Sequence, residues 1–564
     1  MSLVVRIALL RPLARLRPLR WGPRLAESLV TRSHQVSGLI GGTARRAAAA
    51  EEAVALCRRL AADRPNPHRV DLARALVARA AVPDAQPAAE AIEQLREAIG
   101  YVADPPDRAA LVVLAAARER LAANLSELGE TREALPLALR ARATWDAAAP
   151  LGPDERMRLA GTLLVIGDCQ ARLGRPEQAL DVRRQARDLH QALSRYQQSR
   201  WASLGATAAI DLARSEAAAG RVQEALALLD PARDDLGFLR LVQPPRGRKL
   251  TADALLVEAE CRAELGETEA AVRAAGEATG RLRRLVGAAP GARRGHLAAA
   301  LRVHGQLLLR SGRREEGADR VAEAVEVARG ADDGELARAL TQLAAARIAD
   351  RRWDAVEPLL DELLPVCRRW TGDLPEEFRP MLVQALLLVL AMTAFETPGG
   401  DPGPGAPPRD RVAGLDGVTA GREAVELARH LATADPQYRV LLGHALFGLD
   451  KAVNRAGDVR EAAELLRECV ALRRQLFAEE PAAHRSDLVD ALVNLGNRLH
   501  VLGRLDEALP AYEESVALIR ATDSGLPPAQ AVTPLRNLAR TLAALGRTEE
   551  AERTAAEAEA LAET

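Results

Sequence analysis

Few residues in this chain stand at spacings that would support catalysis. A nucleotide-binding loop needs a lysine directly after glycine, and the only two lysines, Lys249 and Lys451, follow Arg248 and Asp450. The nine histidines contain no His-x-x-x-His pair of the kind that binds zinc on a helix, and the Gly-x-Ser-x-Gly motif of serine hydrolases does not occur. We therefore predict a non-enzymatic protein with no catalytic residue, no metal and no cofactor.

The cysteines also argue against chemistry. They are odd in number and lie roughly a hundred residues apart, at Cys57, Cys169, Cys261, Cys367 and Cys469. This spacing predicts neither a disulfide framework nor a Cys-x-x-Cys metal site. We expect small buried apolar side chains in a reducing cytoplasm.

Composition and charge limit the classes of partner. The 564 residues carry 77 basic and 78 acidic side chains, a net charge of −1. Such a balance gives no overall field to attract nucleic acid or an anionic membrane, so we expect no nucleic-acid partner. The segment Met381–Phe395 is apolar on nearly every side but too short to span a bilayer. It predicts a buried helix, with an oligomer contact as the alternative, and no transmembrane span is expected.

Residues 1–36 form a leader rich in arginine and proline. The first 32 residues carry seven arginines against one acid, Glu27. Pro12, Pro18 and Pro23 are expected to interrupt any long helix. The leader is either a disordered tail or a basic arm that touches membrane phosphates, RNA or an acidic partner.

The C-terminal part of the chain contains one pattern twice. The first copy, Leu492, Leu495, Leu499, Leu502, Gly503 and Ala508, recurs 43 residues later as Leu535, Leu538, Leu542, Leu545, Gly546 and Ala551. Leucines three and four residues apart place one apolar stripe on a helix, and glycine ends that helix. Each copy is therefore a helical hairpin, and a hairpin with one apolar face must stack on further copies to bury it.

Turn glycines extend this rhythm through the chain. They are spaced 45 or 46 residues apart at Gly129, Gly174, Gly220, Gly266 and Gly312, and again at Gly457 and Gly503. Asp350 with Ala355 is interpreted as a degenerate copy without the glycine. The sequence thus predicts an all-α fold, an α-solenoid of about a dozen helix-turn-helix repeats with a period of about 46 residues.

A segment rich in proline and glycine, residues 397–410, interrupts the repeats and predicts a mobile loop. It is either an elongated turn inside one repeat or a linker. The domain prediction is therefore a leader at 1–36, a long array at 37–396, the loop at 397–410 and a C-terminal array at 411–564.

The hairpin resembles the tetratricopeptide repeat (TPR). Leu492, Leu495, Gly496 and Leu499 match the large and small positions of the family's first helix, and Gly503, Ala508 and Tyr512 match its turn and second helix. The longer period is similar to the long-helix variety of kinesin light chains and of many bacterial regulators. The resemblance implies a right-handed superhelix whose concave face, lined by the first helices, holds an extended peptide.

In that variety an asparagine directly before the first-helix leucine bonds the bound peptide, and Asn494 and Asn537 match that position. Counting along the first helices toward the same face gives the remaining candidates, which are Lys451, Asn454 and Arg455 in one repeat, Asn497 and His500 in the next, and Arg536 and Arg540 in the last. This set contains no acid. It predicts a cationic groove for an acidic or carboxylate ligand; the alternative is a solvated face whose arginines pair with neighbouring glutamates.

Three functions follow from this fold. The first is a scaffold that presents a helical surface to a protein or peptide. The second is a regulatory sensor that changes shape on binding a ligand and controls an enzyme or a transcription factor. The third is a structural component that self-associates as a homo-oligomer.

Overall fold

A computed structural model describes residues 2–34, 42–63, 65–82, 86–128, 130–173, 175–193, 201–288, 294–372, 375–393, 410–521 and 527–562. Throughout these ranges the regular structure is helical, apart from short 3-10 turns and one isolated bridge between Val412 and Leu415. The all-α prediction is confirmed.

The helices are α1 (Leu3–Leu16), α2 (Pro18–His34), α3 (Gly42–Asp63), α4 (Pro65–Ala80), α5 (Ala88–Tyr101), α6 (Arg108–Glu127), α7 (Thr131–Ala147), α8 (Pro153–Arg172), α9 (Pro176–Gln191), α10 (Ala202–Ala218), α11 (Val222–Val242), α12 (Pro244–Glu264), α13 (Thr268–Ala288), α14 (Arg294–Arg310), α15 (Arg314–Ala328), α16 (Asp333–Ala349), α17 (Glu357–Thr371), α18 (Pro375–Thr393), α19 (Gly417–Ala434), α20 (Arg439–Arg455), α21 (Val459–Glu479), α22 (Pro481–Val501), α23 (Leu505–Arg520), α24 (Val532–Ala544) and α25 (Thr548–Ala562). From α1 to α15 and again from α17 to α25, each helix packs against the next one along the chain. This consecutive packing agrees with the predicted hairpins, whereas the 46-residue period and the handedness stay predictions.

Glycine ends the first helix of many hairpins for a conformational reason. At Gly503 the backbone φ is +71°, a left-handed value that costs a residue with a Cβ about 1 kcal/mol or more. The turn is closed by a 3.0 Å bond from the Gly503 N–H to the His500 carbonyl and a 2.9 Å bond from the Arg504 N–H to the Leu499 carbonyl. These bonds satisfy carbonyls that a helix end would leave unpaired. The other predicted turn glycines that lie in described residues share the positive φ, namely Gly220, Gly266, Gly312, Gly457 and Gly546; Gly129 and Gly174 lie outside them.

The degenerate copy uses an arginine in place of glycine. Arg351 has a φ of +55°, and its N–H bonds the Ile348 carbonyl at 3.0 Å, as the Gly312 N–H bonds the Leu309 carbonyl at 3.1 Å. The residue equivalent to the turn glycine is therefore Arg351, one position later than the predicted Asp350.

Two compact units make up the chain, Met1–Glu335 and Leu336–Thr564. In the first unit Leu29, Cys57, Leu76 and Trp145 belong to one continuous apolar core. Small alanines line the helix contacts in this core, which lets the helices approach closely without large rings.

The predicted leader contains α1 and α2, so its described residues, 2–34, differ from a disordered tail. Ile7 and Leu10 of α1 are buried in the apolar core together with Leu29 of α2, because burial of these side chains offsets the entropy of ordering the segment. Pro18 starts α2, as a proline can at a first helical position, whereas Pro12 and Pro23 lie inside their helices.

In the second unit, α18 contains most of the apolar segment Met381–Phe395. Between Met381 and Thr393 the exposed side chain is Gln384, and its neighbours are buried or half-buried. The predicted buried helix is confirmed for these residues. No helix among those described is long and apolar enough to cross a membrane. Residues 397–409 of the predicted loop lie outside the described residues, so the division into arrays around them stays a prediction.

Candidate peptide-binding face

The nine predicted site residues lie on three helices of the second unit. Lys451, Asn454 and Arg455 are on α20, Asn494, Asn497 and His500 are on α22, and Arg536, Asn537 and Arg540 are on α24. Each of these helices is the first of its hairpin. We call the surface formed by the six residues of α22 and α24 the α22–α24 face.

A polar seam centred on Asn497 joins α22 to α24 and to the intervening α23. The Asn497 Oδ1 accepts a 2.7 Å bond from the Tyr512 hydroxyl and a 2.9 Å bond from the Asn537 Nδ2. The Arg540 Nη2 lies 3.4 Å from the Asn537 Oδ1. The structure thus brings three of the predicted residues together around a tyrosine that is fully buried, and Asn497 serves mainly to fix this geometry.

His500 forms a second link between the same two helices. Its Nδ1 lies 3.1 Å from the Thr541 Oγ1, which donates its only hydrogen to the Asn537 carbonyl at 2.9 Å. The Nδ1 must therefore donate, and Nε2 is left as the acceptor of the neutral ring. Burial and the nearby Arg540 charge lower the pKa of His500, which favours that neutral form.

The α20 residues are engaged with their own surroundings. The Lys451 ammonium lies 4.5 Å from the centre of the Phe447 ring, a cation–π distance. The Arg455 Nη1 donates a 2.6 Å bond to the carbonyl of Thr393, the last residue of α18. Asn454 is half-buried on the same helix. Arg455 therefore acts largely as a cap for a neighbouring helix end.

Three acids that the sequence prediction left out lie on α20 and α22. Asp450, fully buried on α20, accepts a 3.1 Å bond from the Arg498 Nε of α22. Asp487 lies 3.6 Å from the His444 Nε2, and Asp490 is an exposed acid of α22. An acid and an arginine about one repeat apart on successive first helices were the available signal for the Asp450–Arg498 pair.

The two predicted arginines of α24 form no ion pair with any residue that the structure describes. Arg536 and Arg540 are both exposed, and with the residues that the structure describes Arg536 forms no ion pair or hydrogen bond. The cationic character predicted for the whole set is therefore strongest at these two positions.

Arginines on the second helices behave differently. Arg422 pairs with Glu461 at 3.0 Å and Arg429 with Glu468 at 2.6 Å, which ties α19 to α21. Arg467 of α21 pairs in turn with Glu507 of α23 at 2.8 Å. Paired arginines of this kind match the alternative prediction, a solvated face whose arginines pair with neighbouring glutamates. They occur on the second helices more than on α24.

The first unit carries its own charged residues on first helices. Asp211 and Arg214 of α10 pair at 3.0 Å, and Lys249 and Asp253 of α12 also pair at 3.0 Å. Burial, chiefly, raises the pKa of Asp211 to about 6. Asp211 occupies the same repeat position as Asn494, and this shared position was the sequence signal for the charged residues of α10. The predicted cationic groove contained no such pairs of opposite charge.

The cysteines lie where thiol chemistry is disfavoured. All five are buried and unpaired by disulfides. Burial, the largest cause, raises the pKa of Cys261 to about 11 and that of Cys469 to about 11, whereas a nucleophilic thiol needs a lowered pKa. Within the described ranges, His, Cys, Asp and Glu form no group that could hold a metal ion.

Comparison with known proteins covers the C-terminal hairpins and the fold. Residues 487–564 match the family described as Tetratricopeptide repeat. No curated protein matches the chain.

Among solved structures, a Rap protein complexed with Competence and Sporulation Factor is 11% identical, with a TM-score of 0.45, and the alignment covers 73% of this chain and 98% of that one. The apo form of RapI is 10% identical with a TM-score of 0.43 and coverages of 73% and 99%. A signal transduction ATPase with numerous domains and a tetratricopeptide repeat sensor, from Pyrococcus horikoshii, is 11% identical with a TM-score of 0.40, and it covers 71% of this chain and 55% of its own.

The matched region contains α22 from Asp487 onward and all of α23 to α25, and therefore the six residues of the α22–α24 face. Repeats of this family support a role in protein interaction or regulatory sensing. The two hairpins in residues 487–564 are thus similar to tetratricopeptide repeats.

Proposed function

We propose that the chain is a non-enzymatic interaction scaffold whose α22–α24 face binds an extended, acidic segment of a partner protein. The observation that supports this most directly is the pair of exposed arginines, Arg536 and Arg540, beside a seam whose other polar groups are already fixed by hydrogen bonds. Rigid neighbouring side chains reduce the entropy cost of binding a ligand.

The spacing of the two arginines suits an extended peptide. Positions four residues apart on a helix are about 6 Å apart along its axis and point to the same side. Side chains on one face of an extended strand repeat every two residues, at about 7 Å. Acidic residues at alternate positions of the ligand would therefore meet Arg536 and Arg540 in turn, each through charge-assisted hydrogen bonds.

Acceptors on α22 would take up the peptide backbone. The Asn494 Nδ2 donates a 2.8 Å bond to the Asp490 carbonyl of its own helix, which leaves its Oδ1 as an acceptor. The neutral His500 ring offers Nε2 for the same purpose. Two acceptors beside two arginines match the N–H groups and the carboxylates of one extended segment.

Fluorescence anisotropy with labelled synthetic peptides tests this proposal on the full chain. One peptide carries glutamates at alternate positions, and its control has the same composition with the glutamates adjacent. We expect tighter binding of the alternating peptide, and a loss of about tenfold or more in affinity when Arg536→Glu and Arg540→Glu are combined. Equal binding of both peptides, or unchanged binding by the double variant, contradicts the proposal.

Two exposed arginines on second helices provide a matched control. Arg460→Glu and Arg553→Glu change the net charge by the same amount but lie on α21 and α25. This variant should bind the alternating peptide as the wild type does. An equal loss in both double variants would show that net charge, rather than the α22–α24 face, controls binding.

The same peptide distinguishes a scaffold from a sensor. A scaffold binds it with no change in the radius of gyration, whereas a sensor opens or closes, and small-angle scattering measures the difference. Self-association, the third class, would appear as a molar mass that rises with protein concentration in the absence of peptide.

A further inference from the structure

Helix α1 has two apolar faces, and the part of the chain that the structure describes covers only one of them. Ile7, Leu10 and Ala14 are buried against the neighbouring helices. A second stripe faces outward with the helical spacing of three and four residues, at Val5, Leu9, Leu13 and Leu16. Leu9 is 54% exposed and Leu16 is 79% exposed. An ordinary surface helix has a polar outer face, so we expect another molecule to cover this apolar stripe.

Arginines border the outward stripe. The helical period places Arg6 along one side of it and Arg15 along the other, and Arg17 and Arg20 follow where α1 gives way to α2. All four are exposed, and Arg15 and Arg17 form no ion pair with any residue that the structure describes. Long arginine side chains can keep the charge in water while their stems lie on apolar surroundings.

The geometry points to an anionic lipid surface as the occupant, with α1 lying flat in the interface. The stripe would insert among the acyl chains, and the bordering arginines would contact the phosphates. The stripe runs about 17 Å from Val5 to Leu16, parallel to the membrane plane in this arrangement. This role goes beyond peptide binding and involves only the first unit.

Charge and shape favour lipid over the other occupants. A second copy of the chain would oppose two stripes that are each bordered by the same four exposed arginines, which is repulsive. A partner helix binds best in a groove that holds its anchor side chains, whereas the leucines of α1 project from a single helix. A bilayer needs no groove, because its acyl chains adapt to projecting side chains.

Co-sedimentation of the full chain with vesicles tests the inference. Vesicles of phosphatidylglycerol and phosphatidylcholine in equal parts are compared with vesicles of phosphatidylcholine alone. We expect sedimentation with the first, little with the second, and weaker binding as salt is raised. Absence of binding to the anionic vesicles overturns the inference.

Three double variants separate insertion of the stripe from simple electrostatic adsorption of the arginines. Leu9→Gln combined with Leu16→Gln keeps every charge and should reduce vesicle binding at least tenfold, while Leu241→Gln combined with Val501→Gln, at two other highly exposed positions, should not. Arg15→Gln with Arg17→Gln should reduce binding to anionic vesicles only. Unchanged binding by the Leu9/Leu16 variant contradicts insertion.

A soluble partner is distinguished by a second probe. A synthetic amphipathic helix with a leucine stripe and glutamate borders is titrated against the full chain. Binding of this peptide together with failure to bind vesicles would reassign the face to an acidic partner helix and overturn the lipid proposal.

Discussion

The Asn537 Nδ2 donates a 2.9 Å hydrogen bond to the Oδ1 of Asn497, forty residues earlier in the chain. The same oxygen accepts the Tyr512 hydroxyl at 2.7 Å. One amide therefore satisfies donors from both later helices, and the polar surface of α22 and α24 depends on it.

Asn497→Ala should lower the free energy of unfolding by about 1–3 kcal/mol, because the hydroxyl of the buried Tyr512 loses its acceptor. Asn494→Ala, which removes only a bond to its own helix, should cost less than about 0.5 kcal/mol. Urea unfolding followed by circular dichroism measures both. Equal costs would mean that the Asn497 seam contributes no more than an ordinary surface contact.

Gly496 allows Tyr512 to pack against α22. A Cβ at position 496 would lie 2.6 Å from two atoms of the Tyr512 ring. Gly496→Ala should therefore destabilise the protein by about 1–3 kcal/mol through overpacking. Combining it with Tyr512→Leu should cost less than the two single changes together, because the smaller side chain relieves the clash. Simple additivity in this double-mutant cycle would exclude the clash as the cause.

Arg351 is predicted to be a site where glycine stabilises the chain. Its left-handed backbone, with φ at +55°, costs a residue with a Cβ about 1 kcal/mol. Arg351→Gly should recover up to about that amount, offset in part by the greater entropy of glycine in the unfolded state. The reciprocal change, Gly312→Ala at φ +83° with open space around it, should destabilise. A thermal melt in which both variants move in the same direction would contradict this explanation.

Leu492 to Gly503 were sufficient to predict a hairpin, since periodicity and a turn glycine depend on neighbours in sequence. A helix of known period fixes the directions of Asn497, Asn537 and Arg540, and the structure brings these side chains within hydrogen-bond distance of each other in turn. The roles of Asn497 and Asn537 were not predictable, because they depend on side chains 15 and 40 residues away.

For the N-terminal segment, the expectation from composition differs from the structure. Its arginines and prolines favoured a tail, yet Ile7, Leu10 and Leu29 are buried. Composition measures average solubility, whereas three well-placed apolar residues suffice to dock a short helix. Arg351 likewise required the backbone geometry, as no local pattern identifies an arginine at a left-handed turn.

The buried pair of Asp450 and Arg498 should respond asymmetrically to mutation. Arg498→Met leaves a fully buried carboxylate without its guanidinium and should cost about 3–5 kcal/mol. Replacing both residues, with Asp450→Leu and Arg498→Met, should cost much less, because neither charge then remains unpaired in the interior. Denaturant unfolding of both variants measures the difference, and a double variant as unstable as the single one would show that the pair is not the relevant unit.

The cysteines should not react with thiol reagents in the native state. Burial, the leading cause, raises the pKa of Cys57 to about 12 and that of Cys367 to about 12, so about one thiol in ten thousand is ionised at a pH near 8. Alkylation followed by mass spectrometry should label no cysteine in the folded protein and all five after unfolding. Rapid native labelling of any one of them would contradict its buried placement.

Site-specific photo-crosslinking tests whether the peptide binds at the α22–α24 face. A photoreactive side chain at position 536 or at position 460 of the full chain is irradiated with the labelled peptide that carries alternate glutamates. The account predicts a covalent adduct from position 536, suppressed by excess unlabelled peptide, and none from position 460. An adduct of equal yield at both positions, or at 460 alone, would contradict a binding face on α22 and α24.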